Sequence, residues 1–378
     1  MKVFVISKGM PTEKYPLNGI FEFDQAKALA QVGVDVAMLV IDFRSRSYKR
    51  KYGWFSYEKE GVKVYELSLP LGVYRRALPL LQHLLVKLYK KAVKTFGEPD
   101  VIHAHFYSIA AIAAILKKKF DVPFVVTEHS SKLNKKLLGI SKLDQKLAKK
   151  AYLNADKVVA VSNALADNLK NNFGVDAAVI HNIVDVSHFQ YVRREQKNTF
   201  TFVSVGNLIP IKGFDLLISA FAEAFKDENS VFLKIVGAGQ EMKNLQNIVN
   251  QCDIQNRITL LNEVGRDKLE NIYRDSDAFV LASRTETFGV VFIEAMATGM
   301  PVIATACGGP NDFVNEKNGY LIPVEDKNAL IDALKKMRNN AYSFNSLGIS
   351  EMCVKKFSPE NIGKALINLY QDFTHRNR

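Results

Sequence analysis

Cysteine is scarce in this 378-residue chain. Its three residues, Cys252, Cys307 and Cys353, lie far apart and fit neither a Cys-x-x-Cys nor a Cys/His spacing, which excludes a disulfide framework and a zinc site and points to a reducing, cytoplasmic compartment. Long apolar runs are missing as well. The longest, Ile109 to Leu116, is well below the roughly 18 residues that a spanning helix needs, and the run after Met1 is too short for a signal peptide. Proline numbers only 11, and no Gly/Ser/Pro-rich tract interrupts a composition of 48% hydrophobic and 24% charged residues, so a long disordered linker is excluded. What remains is an ordered chain, too long for one ordinary α/β core and suited to two.

Negative charge is the other shortage, and it is local. Residues 1–190 carry 29 Lys and Arg against 17 Asp and Glu, whereas residues 191–378 carry 22 of each, so the whole formal net charge of +12 belongs to the first half. Such asymmetry suits an anionic partner for that half, nucleic acid or an anionic membrane surface, and it equally suits a solubilising lysine-rich face.

Short β-rich apolar runs alternate with helical patterns from the first residue, the pattern of βαβ units and a parallel sheet. Lys2–Ser7, Val34–Val40, Val62–Leu67, Asp100–His103, Phe124–Thr127 and Lys157–Val161 read as strands, with helices such as Ile20–Val32 and Leu78–Phe96 between them. A second series begins at Phe200–Val205 and continues through Phe232–Val236, Ile258–Leu261, Ala278–Leu281, Pro301–Ala304 and Gly319–Pro323. The expected organisation is an α/β chain of two Rossmann-like domains, residues 1–190 and 191–360, with a final helix over 361–378 that can pack back on the first. The polar segment between Asp185 and Asn198, with Arg193-Arg194-Glu195-Gln196-Lys197, reads as the hinge. Ligands of parallel sheets sit outside the carboxyl ends of the strands, where helix N-termini face anions, so two facing domains would share one cleft.

Residues with chemistry collect at those strand ends. After Ala278–Leu281 comes Ser283-Arg284-Thr285-Glu286-Thr287-Phe288-Gly289-Val290, a loop that runs into a helix carrying Glu294. Gly289 lets the backbone approach a ligand, the amides of Phe288 to Val290 suit a phosphate, and Glu286 and Glu294 suit sugar or ribose hydroxyls. Two such carboxylates alone are more often surface residues at a helix start. Here they are joined by Gly206-Asn207-Leu208-Ile209-Pro210-Ile211-Lys212-Gly213, a second strand-to-helix glycine loop whose Lys212 can neutralise a pyrophosphate, and by a third, Gly237-Ala238-Gly239.

Residues 200–325 resemble the donor domain of retaining glycosyltransferases of the GT-B fold, the glycosyl transferases of group 1 or family 4, marked by a Glu-x7-Glu motif that here runs from Glu286 to Glu294. Gly206…Lys212-Gly213, Asp277–Ser283 and Gly299–Ala304 leading to Gly308-Gly309-Pro310 are similar to the same family. The resemblance implies a hexosyl transfer from a UDP- or GDP-linked sugar to a saccharide or lipid-linked acceptor, with retention and with neither cofactor nor metal. It places Lys212 on the donor phosphates, Glu286 on the transferred sugar, Phe288, Gly289 and Val290 near both, Glu294 on the ribose, and Gly206, Asn207 and Gly237 in the donor loops. The family usually has Arg where this chain has Asn207, so pyrophosphate stabilisation would rest more on Lys212 and a helix N-terminus. The first half resembles the acceptor domain through Gly19-Ile20-Phe21-Glu22, Asp100–His105 and Thr127-Glu128-His129-Ser130. This adds His105 to Glu286 and Lys212 as a catalytic candidate and puts Gly19, Glu22 and His129 on the acceptor side.

Competing patterns are weaker. Asp275-Ser276-Asp277 spells the Asp-x-Asp of metal-dependent transferases, but it precedes its strand and so falls at the wrong end of the sheet, with no ligand cluster beside it. A dinucleotide oxidoreductase wants a full Gly-x-Gly-x-x-Gly, which neither Gly9 nor Gly206 begins, and no nucleic-acid-binding module is present. A sugar-nucleotide-binding protein without turnover is the remaining alternative, and Asn207 is its argument. Two lysine-rich amphipathic segments account for the charge of the first half. One runs from Tyr74-Arg75-Arg76 through Leu80, Leu81, Leu84, Leu85 and Leu88 to Lys87, Lys90, Lys91 and Lys94, the other from Lys132 to Lys150 around Leu133, Leu137, Leu138 and Ile140. Both patterns suit peripheral contact with an anionic membrane at its inner face, and both suit ordinary surface helices.

Overall fold

Strands rich in Val, Ile and Phe that are buried on both faces belong in parallel sheets covered by helices, and the computed structural model has two such sheets. It describes all residues except 13, 16–17, 73–76, 134–139 and 375–378. One unit comprises Met1–Ile183 with Pro359–Arg378, the other Val184–Ser358.

In the first unit β1 (Lys2–Ser7), β2 (Asp35–Asp42), β3 (Gly53–Lys59), β4 (Val62–Ser68), β5 (Val101–His105), β6 (Phe124–Glu128), β7 (Lys157–Ala160) and β8 (Ala177–Val179) form one sheet in the order β3-β4-β2-β1-β5-β6-β7-β8. All neighbours are parallel except β3 and β4. The interposed helices are α1 (Ile20–Gln31), α2 (Leu78–Phe96), α3 (Tyr107–Phe120), α4 (Lys142–Leu153) and α5 (Asn163–Phe173). Ser141 and Ser162 open α4 and α5 with hydroxyls that accept the Asp144 and Leu165 amides. Neither β3 nor β8 stood among the expected strands: β3 is a half-exposed edge, with Trp54 43% exposed, and β8 has only three residues.

The second unit contains β9 (Phe200–Val205), α6 (Phe214–Ala224), β10 (Val231–Val236), α7 (Met242–Asn250), β11 (Ile258–Leu261), α8 (Arg266–Arg274), β12 (Ala278–Leu281), α9 (Val290–Ala297), β13 (Val302–Thr305), β14 (Gly319–Ile322), α10 (Lys327–Asn340) and α11 (Ser346–Phe357). Its all-parallel order, β11-β10-β9-β12-β13-β14, is that of a Rossmann sheet and reverses between β9 and β12. In the first unit the reversal lies between β1 and β5. The final helix, α12 (Pro359–Thr374), belongs to the first unit: Ile362, Leu366 and Tyr370 enter its core, and Gly363 lies against the Ala28 carbonyl of α1.

Two expectations change here. The first unit ends at Ile183, and the segment read as a hinge is part of the second unit. Val184 N–H donates to the Phe357 carbonyl at 2.9 Å and Val192 N–H to Thr298 at 3.1 Å. Arg194 donates to the carbonyls of Ser276 (2.9 Å), Tyr273 (3.1 Å) and Thr298. These carbonyls lie at and just beyond the C-terminal ends of α8 and α9, the negative poles of the helix dipoles, where a guanidinium is favoured. The amphipathic pattern of α2 also has an internal explanation, because Leu81, Leu85 and Leu88 are buried in the first unit while Lys87, Lys90, Lys91 and Lys94 are exposed. Leu133 and Ile140 are likewise buried. Tyr74, Arg75, Arg76, Lys135, Lys136, Leu137 and Leu138 lie outside the described residues. No helix among the described residues is long and apolar enough to cross a membrane.

Candidate active site

The loops that leave β9 and β12, the strands flanking the reversal in the second unit, carry the two charged residues singled out above. After β9 the chain passes Gly206 and an exposed Asn207, makes a single 3-10 turn over Pro210–Lys212, and enters α6 through Gly213. After β12 it passes Ser283 to Glu286 and enters α9 through Gly289. Lys212 Nζ donates to Glu286 Oε1 at 2.5 Å, and the Ser283 hydroxyl donates to the same oxygen at 2.9 Å. The two charged side chains are only 17% and 8% exposed. The fold thus brings a lysine and a carboxylate from different strand ends into contact where parallel sheets bind their ligands.

Each loop is held by its neighbours. Gly206 N–H donates to Val236 O at 3.0 Å and Leu208 N–H to Ala238 O at 2.9 Å, so the loops after β9 and β10 run on as a short ladder. A Cβ on Gly237 would stand 1.9 Å from the Gly206 carbonyl oxygen, which gives that glycine a packing role. Arg284, not among the candidates, pins the lysine turn from the side: its amide donates to Ile211 O at 2.8 Å, and its guanidinium grips both carboxylate oxygens of Asp215 (3.0 and 2.8 Å), Glu325 and the Pro210 carbonyl. Burial works against the Asp215 charge, but Arg284 outweighs it and holds this carboxyl below its usual range.

Around Glu286 the backbone is tied to the loop after β13, with Glu286 N–H on the Cys307 carbonyl (3.3 Å) and Gly309 N–H on the Glu286 carbonyl (3.0 Å). Burial, with the Glu286 charge adding to it, pushes the Cys307 thiol up to about 11, so it stays protonated near neutrality. Phe288 turns its ring into the core against Phe313 and Phe357, leaving its backbone at the loop. Gly289 adopts φ 95°, a left-handed conformation that admits glycine, and Val290 begins α9. Glu294, in the second turn of α9, is buried and receives the Tyr273 hydroxyl at 3.4 Å. Burial and that carboxylate push the Tyr273 phenol well up. Asp277 spends its two oxygens on the Thr201 amide (2.8 Å) and the Tyr342 hydroxyl (2.9 Å), joining β12 to its neighbours. Among the described residues no three His, Cys, Asp or Glu side chains cluster to hold a metal ion.

The first unit gathers its candidates at the carboxyl ends of β1, β5 and β6. Gly19 caps α1, and Glu22 in its first turn is buried beside Ser7, whose hydroxyl reaches the Gly9 carbonyl (2.7 Å) and Glu22 Oε1 (3.2 Å). Burial raises the Glu22 carboxyl, with Lys8 and Ser7 opposing. His105 ends β5, His129 follows β6, and their Nδ1 and Nε2 atoms are 2.9 Å apart. On one side His129 stacks on Phe21, ring centroids 5.6 Å apart; on the other His105 stacks on His103 at 4.6 Å. All three imidazoles are buried, which pushes His103 and His129 down to about 3 and His105 well below its ordinary value. Asn182 beside His129 opposes that shift. The column is therefore neutral near pH 7. Glu128, also missed, accepts from the amides of Tyr107 (2.8 Å), His129 (3.0 Å) and Ser130 (2.8 Å) and from the Tyr152 hydroxyl (2.5 Å). It shapes the loop that presents His129.

Two parallel sheets in Rossmann order, one with a lysine and a carboxylate loop at its reversal, define a protein of the GT-B class. The family model for glycosyl transferases group 1 matches residues 187–348, and that for glycosyltransferase family 4 matches residues 23–188. An uncharacterised glycosyltransferase of Methanocaldococcus jannaschii is 31% identical over 76% of this chain and 79% of its own length. The putative teichuronic acid biosynthesis glycosyltransferase TuaC of Bacillus subtilis is 27% identical over 99% of both. Among solved structures, the sucrose-phosphate synthase of Thermosynechococcus elongatus matches over 100% of both chains with a TM-score of 0.82 at 21% identity. Anabaena HepE, in complex with UDP, matches over 98% of this chain and 100% of its own with a TM-score of 0.74 at 19% identity. The chain belongs to the group 1, family 4 glycosyltransferases.

Proposed function

We propose that this glycosyltransferase moves a hexosyl group from a UDP- or GDP-linked donor to a saccharide or lipid-linked acceptor in polysaccharide or glycolipid assembly, with retention and without a metal. The observation that carries this reading is the Lys212–Glu286 contact at the β9/β12 reversal. A cation beside a carboxylate, next to the glycine-led N-terminus of α9, offers positive charge to a departing diphosphate and an acceptor to sugar hydroxyls. Glu294, buried one turn into α9, takes the ribose in this reading, and Gly206, Asn207, Gly237 and the backbone of Phe288 to Val290 border the donor. The first unit handles the acceptor through His105, His129, Glu22 and the Gly19 turn. HepE, whose complexes contain UDP and UDP-glucose, supports a uridine donor here. Peripheral attachment to the cytoplasmic face of an anionic membrane would use the exposed lysines of α2 and α4, with Leu143 and Leu153 also exposed on α4.

A thermal-shift screen of UDP, GDP, ADP and their sugar conjugates, with and without EDTA, tests the donor site in the parent, Lys212→Ala and Glu294→Ala. A shift selective for one nucleotide that survives EDTA and disappears in both variants is expected. No shift with any nucleotide would sink the reading. Selective binding with no sugar transferred to any acceptor would make the chain a sugar-nucleotide-binding protein, the reading that Asn207 favours, since Arg284 is committed to Asp215 and Glu325 and does not replace the missing arginine.

A further inference from the structure

His105 Nε2 is buried with no hydrogen-bond partner among the described residues. A polar atom left so in a folded core asks for a reason, because its desolvation is uncompensated. The rest of the ring is held firmly. Its Nδ1 meets His129 Nε2 at 2.9 Å with the two ring planes within 14°, and one face lies on His103, centroids 4.6 Å apart and planes within 24°. His103 is in turn bound at both nitrogens, by the Tyr370 hydroxyl on Nδ1 and the Thr127 hydroxyl on Nε2, each at 2.6 Å. An imidazole tied at both ends can neither flip nor tilt, so it makes a fixed platform. Tyr370 reaches it from α12, 267 residues along the chain, with its ring edge-on at 5.8 Å.

We propose that Tyr370 is a positioning residue for His105: with Thr127 it locks the His103 ring, and that ring holds His105 in the plane in which Nδ1 meets His129 and Nε2 is left without a partner among the described residues. In the neutral His105–His129 pair a single proton lies between the two nitrogens. When His105 donates it, the unpaired Nε2 carries a lone pair and can accept a hydrogen bond; otherwise Nε2 is itself the donor. Either way the unpaired nitrogen can serve a reacting group only in a fixed ring, since a displacement of about 1 Å there can cost about 100-fold in rate. The proposal rests on the reading of His105 as a group that meets substrate, but its first test does not.

That test is the histidine ring 15N spectrum of the full chain, with His105 assigned by the loss of its signals in His105→Gln. Tyr370→Phe keeps the aromatic packing and removes the hydroxyl, Thr127→Val does the same on the other nitrogen, and Thr127→Ser retains the bond. Tyr370→Phe and Thr127→Val are expected to move both His105 ring signals and to lower kcat about tenfold at unchanged donor KM, within the cost of misplacing a reacting group, whereas Thr127→Ser keeps both. Leu366→Ala, a packing change on the same helix, should leave the His105 signals in place. Unmoved His105 signals in Tyr370→Phe overturn the proposal whatever the activity does, and so does an equal shift in Leu366→Ala, which would reduce Tyr370 to packing. Shifted signals with kcat intact uphold the positioning and remove His105 from the proposed chemistry.

Discussion

Replacing Glu286 by glutamine removes the negative charge against which Lys212 rests. Lys212 Nζ lies 2.5 Å from Glu286 Oε1, so in the proposed donor site a phosphate competes with this carboxylate for the ammonium's charge. Diphosphate affinity is therefore net of the ion pair. A hydrogen bond to a charged group is worth about 1.5–3 kcal/mol. The lower end applies, since the lysine side chain is 17% exposed and the Ser283 hydroxyl remains on Glu286 when the lysine leaves. About 1.5 kcal/mol corresponds to roughly a factor of ten in an equilibrium constant. Glu286→Gln should accordingly bind the bare nucleoside diphosphate about tenfold tighter by titration calorimetry, while sugar transfer falls at least about 100-fold through loss of the charge facing the sugar. Lys212→Met should lose both. Unchanged or weaker diphosphate binding in Glu286→Gln would refute the exchange of partners.

Acid should destabilise the first unit. His103 and His129 titrate at about 3 in the folded chain against an ordinary 6.5, so the unfolded chain binds more protons between those values and stability falls as pH drops from about 6.5 towards 3. At pH 5 the loss approaches roughly 2 kcal/mol for each. Glu22 and Glu128, raised above 4.5 by burial, bind more protons when folded and offset part of this at the acid end of the window. A urea midpoint that stays level or rises between pH 7 and pH 5 would falsify the neutral column. Arg194→Met should cost about 3 kcal/mol in denaturant unfolding, because it leaves the carbonyls of Tyr273, Ser276 and Thr298 without their charged donor. A loss below about 1 kcal/mol would mean that residues 184–198 act as a free linker after all.

Strands β9 to β14 were legible in the sequence because each is a short apolar run, the inner ones largely buried and the edge strands β11 and β14 partly exposed, and the glycine turns beside several of them are equally local. Gly289 at φ 95° and Gly213 at φ 66° are set by backbone geometry that residue type reports directly. β3 escaped because a half-exposed edge strand lacks such a run. The lysine-rich pattern of α2 describes a membrane-lying helix as well as one that seals a core, and only packing shows that Leu81, Leu85 and Leu88 are buried in the first unit. Arg194 looked like linker charge because the helix ends it serves lie 79 to 104 residues further along.

The chain by itself determined the kinds of groups present and the turns that carry them, since conformation at a glycine or at a helix start depends on near neighbours. Tertiary structure alone decided that Lys212 would meet Glu286, that Arg284 would be spent on the lysine turn, and that Tyr370 would close on His103. A hydrogen bond forms between atoms that are close in space, and separations of 74, 69 and 267 residues leave no period or spacing by which the partners can be read beforehand.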